Sequence, residues 1–125
     1  MNSGTCWVGV DVSKSTLDVY VSFPEQAFSV AHEPDGIRRL IETLQPLQPR
    51  LIVLEATGGL ERALVAELVV APLPVAVVNP RQVRRFAQAL GYLAKSDRLD
   101  ARVLARFAQA IEPTPRACPR PTPWP

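Results

Sequence analysis

Apolar and polar positions follow two different rhythms along this chain, and the switches between them mark out its elements. Residues 6–12, CWVGVDV, form an apolar run rich in β-branched and aromatic side chains, which predicts a buried strand. A polar turn at Ser13, Lys14 and Ser15 follows, and residues 16–22, TLDVYVS, alternate as a hairpin partner would. A weaker third strand is expected around residues 27–30. The period then becomes helical. Ile37, Leu40, Ile41 and Leu44 recur at helical spacing in GIRRLIETL, with Asp35 as candidate cap and Pro46 and Pro49 as the stop.

Residues 50–54, RLIVL, suit a strand buried on both faces, with Glu55 at its C-terminal end. Gly58 and Gly59 are expected to allow a tight turn into the next helix. Thr57 would cap that helix, and Leu60, Leu64 and Leu68 would share one of its sides. Pro72 and Pro74 interrupt it before VAVV at 75–78, a further buried strand. Asn79 and Pro80 then supply a cap and a first-turn proline for a helix through Leu90 that Gly91 ends. Ser96 would cap a last helix from Asp97 to about Ile111. An antiparallel meander followed by strand–helix alternation predicts an α/β domain over residues 1–111, a mixed sheet flanked by helices. That is the element order of the ribonuclease H-like fold, and it fits several other α/β folds as well. From Glu112 onward, EPTPRACPRPTPWP holds six prolines in fourteen residues, which predicts an extended or disordered tail over 112–125.

Composition narrows the class. Among 125 residues, 47% are hydrophobic and 21% charged, which is globular rather than disordered. No apolar run approaches the roughly 20 residues of a membrane span, and the N-terminus lacks a secretion signal, so the expected location is cytoplasmic. Cys6 and Cys118 lie far apart and match no metal or disulfide spacing; Cys6 is expected in the core of a protein kept reduced. The net charge of +2 says little about partners. Its distribution says more: Arg81, Arg84, Arg85, Lys95, Arg98, Arg102 and Arg106 face only Asp97 and Asp100 between residues 80 and 106. Such a patch is either a phosphate-binding surface or a solvated helix face.

Four acids resist explanation as surface charge. Asp11 interrupts an apolar strand, where a charge is costly without a partner or a metal. Glu55 ends another strand at the edge where ligand sites of open α/β sheets lie. Asp97 and Asp100, three apart in KSDRLDA, would share one face of a helix at its first turn. Each has a bland reading as well: a strand-end charge for Asp11 and Glu55, and favourable interaction with the helix dipole for Asp97 and Asp100. Taken together they have the composition of a two-metal phosphoryl-transfer site, in which carboxylates from separate elements hold Mg²⁺ or Mn²⁺. His32, the only histidine, is expected to be a surface residue, and no Ser/His/Asp arrangement can be built around it.

The segments VGVDVSKSTLDVYV, LEATGGLE and VAVVNPRQVRRFAQALGYLAKSDRLDARVLARFA, in this order, resemble the DEDD transposases of bacterial insertion sequences of the IS110 group. The resemblance covers roughly residues 7–111. It implies a RuvC-like fold within the ribonuclease H-like class, and a DEDD tetrad at Asp11, Glu55, Asp97 and Asp100 that binds Mg²⁺ or Mn²⁺ for DNA strand cleavage and exchange. It further implies DNA as partner, possible guide RNA, and homo-oligomers in full-length members. Arg81, Arg84, Arg85 and Lys95 are the candidates for nucleic-acid contact. Full-length members continue into a second domain with a serine nucleophile, so a shortened copy is expected here. Two further readings stay open: a non-catalytic nucleic-acid-binding module using the helices of 80–106, and an actin-like or sugar-kinase ATPase fragment, since DVSKSTLDV also resembles a phosphate hairpin.

Overall fold

The computed structural model describes residues 4–91 and 99–115. Strands β1 (Trp7–Val12), β2 (Thr16–Val21) and β3 (Gln26–Ala31) form the antiparallel meander, and β4 (Leu51–Glu55) and β5 (Val75–Val78) add in parallel to β1. The strand order is β3-β2-β1-β4-β5, which puts β1 at the centre and makes it the only strand of the five with one antiparallel and one parallel neighbour. The mixed sheet expected from the sequence is therefore the one formed.

The pleat sorts side chains into two cores. Val8, Val10, Val12, Leu17, Val19, Val21, Ile52 and Leu54 point to one face. There they meet Ile37, Leu40 and Leu44 of α1 (Pro34–Leu44) and Leu64 and Leu68 of α2 (Arg62–Val70). Cys6 lies in this core, as expected, and burial raises its thiol pKa above the ordinary value. Trp7, Leu51, Val53, Ala76 and Val78 point the other way, against α3 (Pro80–Ala89) and α4 (Ala101–Ile111). Phe86 of α3 meets Phe107 of α4 edge to face, with centroids 5.3 Å apart.

One residue sets how close α4 comes to the sheet. A Cβ on Gly9 would collide with the carbonyl oxygen of Ala101 and stand 2.7 Å from the amide nitrogen of Ala105. The helix backbone thus rests directly on the backbone of β1, with Ala101 and Ala105 as the buried contact residues.

Several helix starts differ from the sequence reading. Asp35 does not cap α1: the N-cap is Glu33, Pro34 takes the first turn, and Asp35 pairs with Arg38 at 3.2 Å. Proline at that position, with its φ pre-set for a first turn, moves the boundary upstream. Thr57 does not cap α2, which begins only at Arg62, and Leu60 is 43% exposed rather than in line with Leu64 and Leu68. The glycines do make the tight turn, with φ of +80° at Gly58 and +122° at Gly59, and the turn uses up the residues expected in a first helical turn. Asn79 caps α3 as expected, its side chain accepting from the Arg81 amide at 2.8 Å. The last helix starts at Ala101, not Asp97, because Asp100 is itself the N-cap in extended conformation. Ser96, Asp97, Lys95 and Arg98 lie outside the described residues, as does the tail beyond residue 115. Residues 112–115 form no helix or strand, and Glu112 pairs with Arg50 at 3.3 Å.

Substituting Gly9 by alanine should force α4 away from β1. Overpacking at such a contact is expected to cost about 2 kcal/mol or more, read as a lowered denaturant midpoint. A midpoint equal to that of the native chain would mean that α4 does not sit on Gly9.

Candidate carboxylate site

Alternation along the strands decides where the acids point. Trp7 and Gly9 face α3 and α4, so Asp11, two residues further on, faces the same way. Leu51 and Val53 face that side too, and Glu55 continues their row. Val10 is aligned with Leu54 across the parallel pair. Asp11 and Glu55 are therefore the next residues on two adjacent strands, on one face, at their C-terminal edge. Both are half-buried, and Oε1 of Glu55 is shielded from solvent.

Asp100 reaches this edge from above. With α4 seated on Gly9, its N-cap lies over the end of β1, and Asp11 and Asp100 line one cavity of about 550 Å³. One Asp100 oxygen, Oδ1, accepts from the Val103 amide at 2.9 Å. The carboxylate thus does the work of a helix cap, at the positive end of α4. Asp100 is not in the first helical turn, so the expected pairing with Asp97 on one helical face does not describe it.

A fifth acid, Asp18, stands directly across from Asp11 in the β1–β2 register and lines the same cavity. Its Oδ1 accepts from the Ser29 hydroxyl at 2.5 Å. Asp18 is exposed, as an ordinary surface acid would be, but its place opposite Asp11 is new. The signal was present, since TLDVYV alternates with Leu17, Val19 and Val21 inward, but the facing partner depends on hairpin register, which a turn of three polar residues does not fix by itself.

The structure brings Asp11 and Asp100 together and sets Glu55 beside Asp11 on the neighbouring strand, although Glu55 does not line their cavity. Among the described residues, no group of three or more Asp, Glu, His or Cys side chains could hold a metal ion. Asp97 lies outside the described residues. The oxygen donors are of the hard type that suits Mg²⁺ or Mn²⁺, but Asp11, Glu55 and Asp100 do not form a complete ligand set without a further donor. His32 is half-buried instead of on the open surface, and its Nδ1 lies 2.7 Å from the Ser13 carbonyl, tying β3 to the β1–β2 turn.

The loop after Glu55 is held by Glu61. Its Oε1 accepts from the Thr57 hydroxyl at 2.5 Å, the Thr57 amide at 3.1 Å and the Gly59 amide at 3.3 Å. The Thr57 hydroxyl bond, helped by the backbone amides and opposed by burial, pulls the Glu61 pKa down to about 2. This brace was missed in the sequence, where LEATGGLE suggested a helix cap at Thr57 instead.

The candidate nucleic-acid residues separate in space. Arg81, Arg84 and Arg85 lie on α3, which leaves the C-terminal end of β5 and so begins at the same sheet edge as Asp11 and Glu55. Arg81 and Arg85 are exposed and Arg84 half-buried. No acid accompanies them in PRQVRRFAQA, and Arg81 sits at the positive end of the helix, where a cation is disfavoured unless an anion joins it. Arg102 and Arg106 lie on α4, with the Arg102 guanidinium 5.7 Å from the Tyr20 ring centre.

The mixed sheet and the acids at its edge fit what comparison with known proteins shows. The chain matches the model of the IS110-type DEDD transposase family, described as a transposase, over residues 8–122. It belongs to that family. The match runs past Ile111, where the resemblance was expected to fade. The pilin gene-inverting protein of Moraxella lacunata is 26% identical over 113 residues, covering 86% of this chain, and its namesake from Moraxella bovis matches equally. The chain spans 35% of the length of these relatives. The fold is similar to that of T. thermophilus RuvC, solved in complex with a Holliday junction substrate. The TM-score is 0.58 at 17% identity, covering 90% of this chain and 99% of RuvC. The fold is thus RuvC-like, of the ribonuclease H-like class, and the family match takes support from the ATPase-fragment reading. No helix among the described residues is long and apolar enough to cross a membrane.

Replacing Glu61 by glutamine tests the brace. A carboxyl held below its ordinary pKa stabilises the fold above about pH 4.5, and that contribution is lost as pH falls towards about 2. The native chain should therefore exceed Glu61→Gln in thermal stability at pH 6, with the gap closing between pH 4.5 and 2. A gap independent of pH would contradict the brace.

Proposed function

We propose that this chain is the carboxylate-bearing domain of a DEDD transposase, which uses Asp11, Glu55, Asp97 and Asp100 to hold Mg²⁺ or Mn²⁺ for cleavage and exchange of DNA strands in the transposition of an insertion sequence. The observation that carries this reading is the convergence at one sheet edge. Asp11 and Glu55 stand side by side on adjacent parallel strands, and α4 delivers Asp100 to the cavity of Asp11. A divalent ion bound there would activate an attacking oxygen and stabilise a leaving one. The protein's own contribution is placement. β1 and β4 fix the first two carboxylates through their parallel register, and the contact at Gly9 fixes the third.

The similar proteins support DNA as the partner: one is a gene-inverting protein and another was solved with a Holliday junction. In this proposal Arg81, Arg84, Arg85 and Lys95 hold phosphates of DNA, or of a guide RNA, beside the carboxylates. The serine-bearing second domain implied by the family resemblance, and homo-oligomers of the longer protein, would complete strand exchange in the cytoplasm. A second reading, nucleic-acid binding without catalysis, is favoured by the three arginines on α3.

Calorimetric titration with Mn²⁺ separates the two. The native chain should show saturable binding that falls at least about tenfold in Asp11→Asn and in Asp97→Asn, a loss on the scale of one charged ligand. Equal binding by all three proteins would overturn the metal assignment. Salt-dependent DNA binding surviving in both variants would then leave the non-catalytic reading.

A further inference from the structure

Two cavities open beside β2 and α4, the second bordered also by Phe86 of α3. Tyr20 lines both, and we read the two together as one trough. The first, of about 550 Å³, runs from Asp11, Asp18 and Asp100 to Tyr20 and Arg102. The second, of about 440 Å³, continues from Tyr20 to Ser22, Phe86, Arg106 and Gln109. Tyr20, in the middle, follows Asp18 on the same face of β2. Arg102 and Arg106 are four residues apart on α4 and so form a cationic row along one side.

The centre of the trough is held in place from two directions. The Tyr20 hydroxyl donates to Glu25 Oε2 at 2.6 Å, and the Arg102 guanidinium lies 5.7 Å from the ring centre. Burial first, and Glu25 second, push the phenol above its ordinary pKa, so the ring stays neutral at working pH. An arginine within cation–π range of a tyrosine ring adds a cation beside that π face and still has N–H groups for phosphate oxygens.

We propose that this trough binds a single polynucleotide strand, with an unstacked base against the Tyr20–Arg102 pair and neighbouring phosphates on Arg102 and Arg106. The proposal rests on the nucleic-acid reading above and adds a subsite to it. A duplex hides its base faces, whereas a single strand offers them to aromatic platforms in a basic groove. Alanines line the trough at Ala27, Ala101, Ala105 and Ala110, leaving room for a base. Charge also gives it a direction. Phosphates are attracted at the Arg106 end and repelled at the Asp11–Asp100 end unless cations are present there. The strand is therefore anchored at the arginines and led towards the carboxylates.

The test is fluorescence anisotropy with labelled twelve-nucleotide oligo-dT and oligo-rU, and a duplex control, at several salt concentrations. The proteins are the native chain, Tyr20→Leu, Tyr20→Phe, the double variant Arg102→Gln/Arg106→Gln, and the triple variant Arg81→Gln/Arg84→Gln/Arg85→Gln. Circular dichroism confirms that each is folded. Tyr20→Leu should weaken single-strand binding about tenfold, with Tyr20→Phe close to native and duplex binding unchanged. The double variant should lower the slope of log affinity against log salt by about 1.4, or about 0.7 for each lost phosphate contact. The oligonucleotide bound more tightly identifies DNA or RNA as the source of the strand. Native-like single-strand binding by both Tyr20→Leu and the double variant, with the triple variant weakened, would overturn the trough and leave the nucleic-acid reading standing. A native chain that binds neither single strand nor duplex would overturn both.

Discussion

The contact between the backbone of α4 and Gly9 is the constraint on which the rest of this structure depends. Helices usually pack on sheets through side chains, which leaves an interval between the two backbones. Here the missing Cβ lets Ala101 and Ala105 rest on the middle of β1 itself. Because β1 is the central strand, this position also sets the depth of α4 over β2 and β4, and with it the packing of Trp7, Val53, Leu104 and Phe107. The same contact places the start of α4 at the C-terminal edge of β1. A larger residue at position 9 would disturb the second core and the carboxylate edge together.

The carboxylate edge has an internal tension that follows from this placement. Asp11 and Asp18 face each other across the hairpin, and Asp100 lines the same cavity. Like charges opposed across a strand pair are destabilising. The structure offsets some of this with hydrogen bonds: Ser29 donates to Asp18, and the Val103 amide donates to Asp100. In the proposed function, a cation at this edge would relieve the remaining repulsion among the acids.

Much of this was legible in the sequence, for physical reasons that differ from element to element. The strands announced themselves because LIVL and VAVV are covered on both faces, and such burial leaves no polar positions. Asp11 and Glu55 stood out against that apolar background. Asn79 and Pro80 gave the start of α3 because both residues act locally, through a side-chain cap and a fixed φ. Helix starts set by competition were misjudged. Thr57 met the rule for a cap, but Glu61 gathers its hydroxyl and amide into a loop, and Gly58 and Gly59 let that loop form. Asp100 read as a first-turn acid, yet its side chain caps the helix, and the two roles look alike in sequence. The partner facing Asp18 and the role of Gly9 were not legible, since both depend on what lies across a strand pair or above the sheet.

Anomalous diffraction from crystals grown with Mn²⁺ is the most direct measurement of the central claim, that docking of α4 on Gly9 assembles a carboxylate metal site at the end of β1. The predicted result is a Mn²⁺ peak at about 2.1 Å from carboxylate oxygens of Asp11 and of at least one acid delivered by the chain entering α4. Saturating Mn²⁺ with no peak at this edge, or with peaks only at surface acids away from β1, would contradict it.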